Sequence, residues 1–186
     1  MGDERTGDVQ TSGSEAVVAD TKDWTWTIAR ACPECGFEAS AVQAPEVAER
    51  VLSLTGPWPA VLSRPDVRRR PEPGVWSPLE YGCHVRDVCR VFEARVRLML
   101  AEDDPRFENW DQDATAVQEG YAEQDPGVVA AALAEAAARA SSAFDEVGDV
   151  QWDRRGLRSN GSQFTVLTLG QYFLHDLAHH LVDVGA

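Results

Sequence analysis

The chain has 186 residues, of which 44% are hydrophobic, enough to supply one compact domain with a sizeable core. Its 31 acidic against 17 basic residues give a formal charge of -14, which excludes nucleic acid as a partner, because phosphates reward clustered Lys and Arg. The most apolar window, VVAAALAEAAARA, is interrupted by Glu135 and is too weak to span a bilayer, and no apolar core of signal-peptide type follows the first residues. A cytoplasmic protein is expected, and its four cysteines are read as free thiols or metal ligands rather than a disulfide frame. Sixteen Arg against the single Lys22, with abundant Ala, Val and Gly, is the bias of GC-rich codon usage and points to a high-GC bacterium.

Residues 1–22 are polar and acidic without useful periodicity, which predicts a disordered tail. Residues 23–44 form a CxxC segment: Trp24, Trp26 and Ile28 alternate with threonines in a strand-like pattern ahead of Cys32-Pro-Glu-Cys35. The rest, residues 45–186, reads as helical. A first helix is expected from Pro45 to about Leu62, followed by the Pro-rich loop RPDVRRRPEPGV. Ser77, Pro78 and Glu80 form a capping box that opens a second helix running to about Glu102, with Tyr81, His84, Val88, Phe92, Val96 and Met99 along its inward stripe. A long connection with a short helix near 112–120 leads to Asp125-Pro126, which starts an Ala-rich third helix through about Glu146. After a polar loop, a capping box at Thr168–Gln171 opens the last helix, to about Val184. The fold class is therefore all-α: a four-helix bundle with long crossovers of up-down-down-up type, and no internal repeats.

Three of the four histidines lie in the stretch YFLHDLAHHL. His175 and His179 are four apart and project from one helix face, so both can reach one ion, whereas His180 is turned about 100° away and is read as a bystander. HDLAH lacks the glutamate of HExxH, which removes the general base of zinc peptidases. His84, near the start of the second helix, offers a third imidazole. Three neutral histidines with an open position suit zinc, and nickel and iron also accept imidazole. Without an ion, each buried unpartnered imidazole nitrogen would cost about 1–3 kcal/mol. Asp87, Asp111 and Asp176 are the candidate carboxylates to orient the imidazoles. CPEC has the spacing of half a zinc ribbon or a redox pair but lacks the second half of a ribbon, so a structural turn, a metal or redox role, and a place at the mouth of the site all stay open. Cys83 and Cys89 read as small core residues, and Trp76, Trp110, Trp152 and Tyr81 as packing residues with substrate contact as the alternative.

The combination WSPLEYGCHVRDV, WDQD and LHDLAHH resembles the DinB/YfiT-like superfamily of metal-binding four-helix bundles, over about residues 45–184. That superfamily includes bacillithiol and mycothiol S-transferases and mycothiol-dependent maleylpyruvate isomerase. The resemblance implies a divalent metal held by His84, His175 and His179. It leaves the catalytic residues unassigned, because a thiol deprotonated at the open metal position needs no side-chain nucleophile. The implied activity is transfer of a low-molecular-weight thiol to a small electrophile. Mycothiol is the expected thiol, since the Arg-for-Lys bias and the extra CPEC segment agree with an actinobacterial branch. A non-catalytic metal-stabilised binding bundle and a thiol-dependent isomerase or lyase are the alternatives. Neither nucleic acid nor membrane is an expected partner, and a homodimer stays open. The metal-bound form should weaken as pH falls toward about 6.5 and protons compete for the histidines.

Overall fold

A computed structural model describes residues 23–186, so the expected disordered tail at 1–22 lies outside the described residues. Six helices follow one another: α1 (Val47–Thr55), α2 (Trp58–Leu62), α3 (Pro78–Ala101), α4 (Gln112–Gln118), α5 (Pro126–Asp145) and α6 (Val166–Asp183). The bundle is made by α1 with its continuation α2, by α3, by α5 and by α6: α3 lies along α5, α1 on α5 and α6, and α3 on α6. Its core runs through Leu79, Phe92 and Met99 of α3, Leu133 and Phe144 of α5, and Leu169, Phe173 and Leu177 of α6, all buried. Alanines at 136, 137 and 140 keep the α5 face thin enough for α3 to close on it. Gly170 serves the same purpose on α6, where a Cβ would stand 3.0 Å from Val47 and 3.1 Å from Phe144. Among the described residues no helix is long and apolar enough to cross a membrane.

The capping chemistry sets the helix starts. At α3 the Ser77 hydroxyl accepts from the Glu80 N–H (3.3 Å), while the Glu80 carboxylate accepts from the Ser77 N–H (2.8 Å). Asp125 caps α5 through the Val128 N–H (2.9 Å), with Pro126 at the first helical position. The last helix starts earlier than its expected box at Thr168–Gln171: Thr165 is the N-cap and accepts from the Thr168 N–H (3.1 Å), so Thr168 closes the box rather than opening it. The expected first helix is broken between α1 and α2, where Pro57 follows Gly56 and has no N–H to extend the ladder.

Two further departures bear on the site. The strand-like Trp24–Ile28 stretch is a 3-10 turn, Thr25–Ile28, because the Asp23 carboxylate accepts from both the Thr25 N–H (2.9 Å) and its hydroxyl (2.8 Å). The two connections read as loops carry a small sheet of β1 (Arg106–Phe107), β2 (Arg155–Arg158) and β3 (Gln163–Thr165). Strand β1 pairs in parallel with β2, Phe107 against Arg158, and β2 in antiparallel with β3, Gly156 against Phe164. The hairpin turns through Asn160-Gly161, with Gly161 at φ +96°. A Cβ at Gly156 would come within 2.9 Å of Met99 and Phe107, so glycine is what lets this sheet lie against the end of α3.

Asp87 of α3 is buried and accepts from Arg86 (2.9 and 2.7 Å), Arg90 (2.9 Å) and the Tyr121 hydroxyl (2.7 Å), tying the helix to the chain that follows α4. Burial alone would raise its pKa, but the hydrogen bonds from Arg86 and Tyr121 outweigh it and hold the carboxyl below the usual range. A folded pKa below the unfolded one means stability that is present above the unfolded value of about 3.9 and is lost as pH falls through the folded pKa. Asp87→Asn should therefore cost about 3 kcal/mol at pH 7, from the arginines left without their anion. Urea unfolding at pH 7 and at progressively lower pH checks this: the gap between wild type and variant should close on acidification, and a gap unchanged with pH would contradict it.

Candidate metal centre and its cleft

Four ligand-type residues of α6, His175, Asp176, His179 and His180, fall into two i,i+4 pairs on adjacent faces of the helix. The structure gives each pair its own surroundings. His175 and His179 meet Cys32 and Cys35 of the N-terminal segment, and Asp176 and His180 meet His84 of α3; within each group the ligand atoms lie within 4.8 Å of one another. Of the three expected ligands, then, His175 and His179 are brought together, but His84 is brought to Asp176 and His180 instead. His180, expected to be a bystander, faces inward to the His84 group. The 100° step that seemed to turn it away from the site points it at α3, because α6 is covered on two sides.

His84 is fully buried. Its ring stacks on Trp110 (centroids 5.4 Å apart, planes 9° apart) and packs against Trp76 (5.2 Å), while the His180 ring meets it edge-on at 4.7 Å. One oxygen of Asp176 stands between the imidazoles, 3.5 Å from His84 Nε2 and 3.5 Å from His180 Nε2. On its other side His180 Nδ1 lies 2.8 Å from Asp183 Oδ2. A carboxylate only accepts, so the Asp183 contact calls for a proton on Nδ1, and Nε2 is the atom aimed at Asp176.

The electrostatics of this trio are those of a cation site. Burial strips water from an imidazolium, so the pKa of His84 is lowered and its ring is neutral. Burial would raise Asp176, but the attraction of His180 and His84 outweighs it and keeps the carboxyl ionised. His84 Nδ1, His84 Nε2 and Asp176 Oδ1 are buried without a hydrogen-bond partner. An ionised carboxylate beside a neutral imidazole, with lone pairs denied water, is a set of donors that a divalent cation would satisfy. Two nitrogens and one oxygen suit zinc or iron, and the three residues fit such an ion.

The remaining expectations sort accordingly. Asp176 is a member of the His84 group rather than a carboxylate behind it. Asp87 is engaged by arginines, and Asp111 caps α4 through the Ala114 N–H (2.9 Å). The carboxylate that does orient an imidazole is Asp183, four residues beyond His179. Cys83 and Cys89 are buried core residues, as expected, and burial pushes the Cys83 thiol up to about 12.

A cleft of about 720 Å³ opens over α6 and reaches His175, Asp176, His179 and His180. Trp76, Tyr81 and Trp110 form one part of its wall, and Trp24, Tyr172 and Arg158 another. Arg158 is held by Asn160 Oδ1 (2.9 Å) and Ser162 Oγ (3.0 Å), so the hairpin turn fixes the one arginine that faces the cleft among the described residues. Trp76 and Trp110, read mainly as packing residues, pack against His84 and line the cleft at once.

Known proteins agree with this architecture. YfiT from Bacillus subtilis, described as a probable metal-dependent hydrolase with an unusual four-helix bundle topology, superposes with a TM-score of 0.62 at 21% identity, over 74% of this chain and 85% of that one. No curated protein sequence matches the chain. Residues 47–183, from the first residue of α1 to the last of α6, match the DinB superfamily, and the chain belongs to that superfamily.

Proposed function

We propose that the chain is a divalent-metal-dependent enzyme whose ion is held by His84, Asp176 and His180, and that it activates a low-molecular-weight thiol for transfer to a small electrophile. The observation that carries the reading is the ionised Asp176 set between His84 and His180 with buried, unpartnered donor atoms beneath a cleft. This ligand set replaces the expected His84, His175 and His179, because the two pairs on α6 face different neighbours. When bound, a divalent cation supplies a Lewis acid that lowers the pKa of a thiol or water at its open position.

The chain's own residues do the rest. Asp183 fixes the His180 tautomer, and the indoles of Trp76 and Trp110 hold the His84 ring while keeping water off it. Indole faces and carboxylates such as Asp111 along the cleft offer stacking and hydroxyl-accepting groups, which suits a polyhydroxylated thiol of the mycothiol kind. The guanidinium of Arg158 supplies the complementary charge for an acidic electrophile. Hydrolysis is the second reading, favoured by the description of the Bacillus subtilis YfiT structure and by Asp111 and Asp183, carboxylates at the cleft able to take a proton from water.

Mass spectrometry of the metal-loaded protein with mycothiol and monobromobimane tests the activity. A protein-dependent adduct that falls by at least about tenfold in His84→Ala and His180→Ala is expected, as for loss of a group acting on the reacting atoms. Unchanged rates in both variants would overturn the reading, and turnover of ester or amide substrates without thiol would move it to hydrolysis. Stability gives a second measure. In metal-free protein His84→Leu should stabilise the fold by about 1–2 kcal/mol, since it removes buried unpartnered nitrogens. With zinc present the order should reverse, wild type gaining about 2.7 kcal/mol at a hundredfold excess over Kd. Urea unfolding with and without chelator checks both signs, and zinc that raises wild type and His84→Leu equally would contradict the ligand assignment.

A further inference from the structure

We infer that Cys32, Cys35, His175 and His179 form a second, sulfur-containing metal site, a structural tetrahedral zinc site that joins the N-terminal segment to the last helix. CPEC alone is half of such a site, and its missing half lies 140 residues on, in the HxxxH pair of α6. The four ligand atoms lie within 4.8 Å of one another. Two thiols and two imidazoles are a donor set that closes zinc's tetrahedral shell and leaves no open position, unlike the His84 group.

Each ligand is prepared for the ion. The CPECG turn is a knuckle: the Gly36 N–H donates to the Cys32 carbonyl (2.8 Å), the Cys32 N–H donates to the Phe37 carbonyl (3.0 Å), and Gly36 takes φ +74° to make the reversal. His179 turns Nδ1 to the Cys32 sulfur at 3.8 Å and Nε2 outward to Glu34 (3.6 Å) and Asp183 (3.9 Å). Its outer nitrogen thus faces carboxylates, the groups that usually stand behind metal-bound imidazoles. His175, 3% exposed, has Nε2 buried with no partner at all. Trp24 covers both rings, at 5.7 Å from His175 and 5.1 Å from His179. All four cysteines are free thiols, so no disulfide competes for Cys32 or Cys35. Zinc entering the site displaces the two thiol protons, and binding is charge-neutral for S₂N₂ coordination.

Cobalt substitution of the full chain, purified under reducing conditions, tests the site without any variant. The expected spectrum contains a thiolate-to-cobalt charge-transfer band and the intense visible bands of a tetrahedral ion. The His84 group has no sulfur donor, so it cannot produce the charge-transfer band and its failure would leave this test standing. Cys32→Ser/Cys35→Ser should lose that band and one equivalent of zinc, and His84→Ala should retain both. Removing zinc should also speed proteolytic cleavage within 23–44 by at least about tenfold while the bundle stays helical. No charge-transfer band in the wild type, a band surviving the double substitution, or cleavage indifferent to zinc would each overturn the proposal.

Discussion

His175, Asp176, His179 and His180 of α6 are buried or half-buried in a bundle that has little hydrogen-bonding capacity to give them. That constraint organises the rest of the molecule. A helix in the core of a four-helix bundle is ordinarily apolar on its inward faces, and α6 obeys this through Leu169, Phe173, Leu174 and Leu177. One turn near its end breaks the rule with four ligand residues, and the breach is confined to where α3, the N-terminal segment and the cleft meet. His175 Nε2 and Asp176 Oδ1 in that turn, and both nitrogens of the facing His84, are buried without a partner, a cost that a bound cation would remove.

Asp183 connects the two faces. One of its oxygens lies 2.8 Å from His180 Nδ1 and the other 3.9 Å from His179 Nε2, so a single exposed carboxylate hydrogen-bonds an imidazole of one group and stands near one of the other. The i,i+3 and i,i+4 spacings from position 183 explain how this is possible on a regular helix: one acid at the last turn sits over both histidines of the turn before it. The same spacing produces the two pairs themselves. Because His175 and His179 repeat one residue before Asp176 and His180, one rotation of α6, set by its buried Leu169, Phe173, Leu174 and Leu177, places both groups.

Much of the fold was legible. The capping box at Ser77, the Asp125-Pro126 start of α5, the inward stripe of α3 and the small face of α5 are local patterns, and local patterns survive into the structure. The losses were of three kinds. The start of α6 slipped by three residues because Thr165 and Thr168 are both able caps, and only the β3 strand that ends at Thr165 decides between them. The short sheet was invisible because its strands are two to four residues long and its parallel pair joins segments fifty residues apart. At the site, HxxxH was recognised but DxxxH, one residue along, was not weighed, although Asp176–His180 has the same spacing. Which of two adjacent pairs faces α3 depends on how α6 is rotated in the bundle, and no local pattern states that angle. The partnership of CPEC with α6 is a tertiary fact of the same kind.

The two groups also set the shape of the cleft. Trp24 rests on His175 and His179 and lines the cleft together with Trp76 and Trp110, which pack on His84. Trp24 brings the N-terminal segment to the cleft, and the segment is held to the bundle by Gln171 donating to the Val42 carbonyl (3.0 Å), by buried Cys32, Ala39 and Val42, and by the proposed thiolate site. A short segment without long helices has little apolar area to bury and would otherwise open on its own. Zinc at the cysteines would thus keep Trp24 in place at the cleft, while contributing no open coordination position of its own. The two donor sets would suit different roles on one helix, since two thiolates and two imidazoles would close a tetrahedral shell and a His–Asp–His trio would leave a position open.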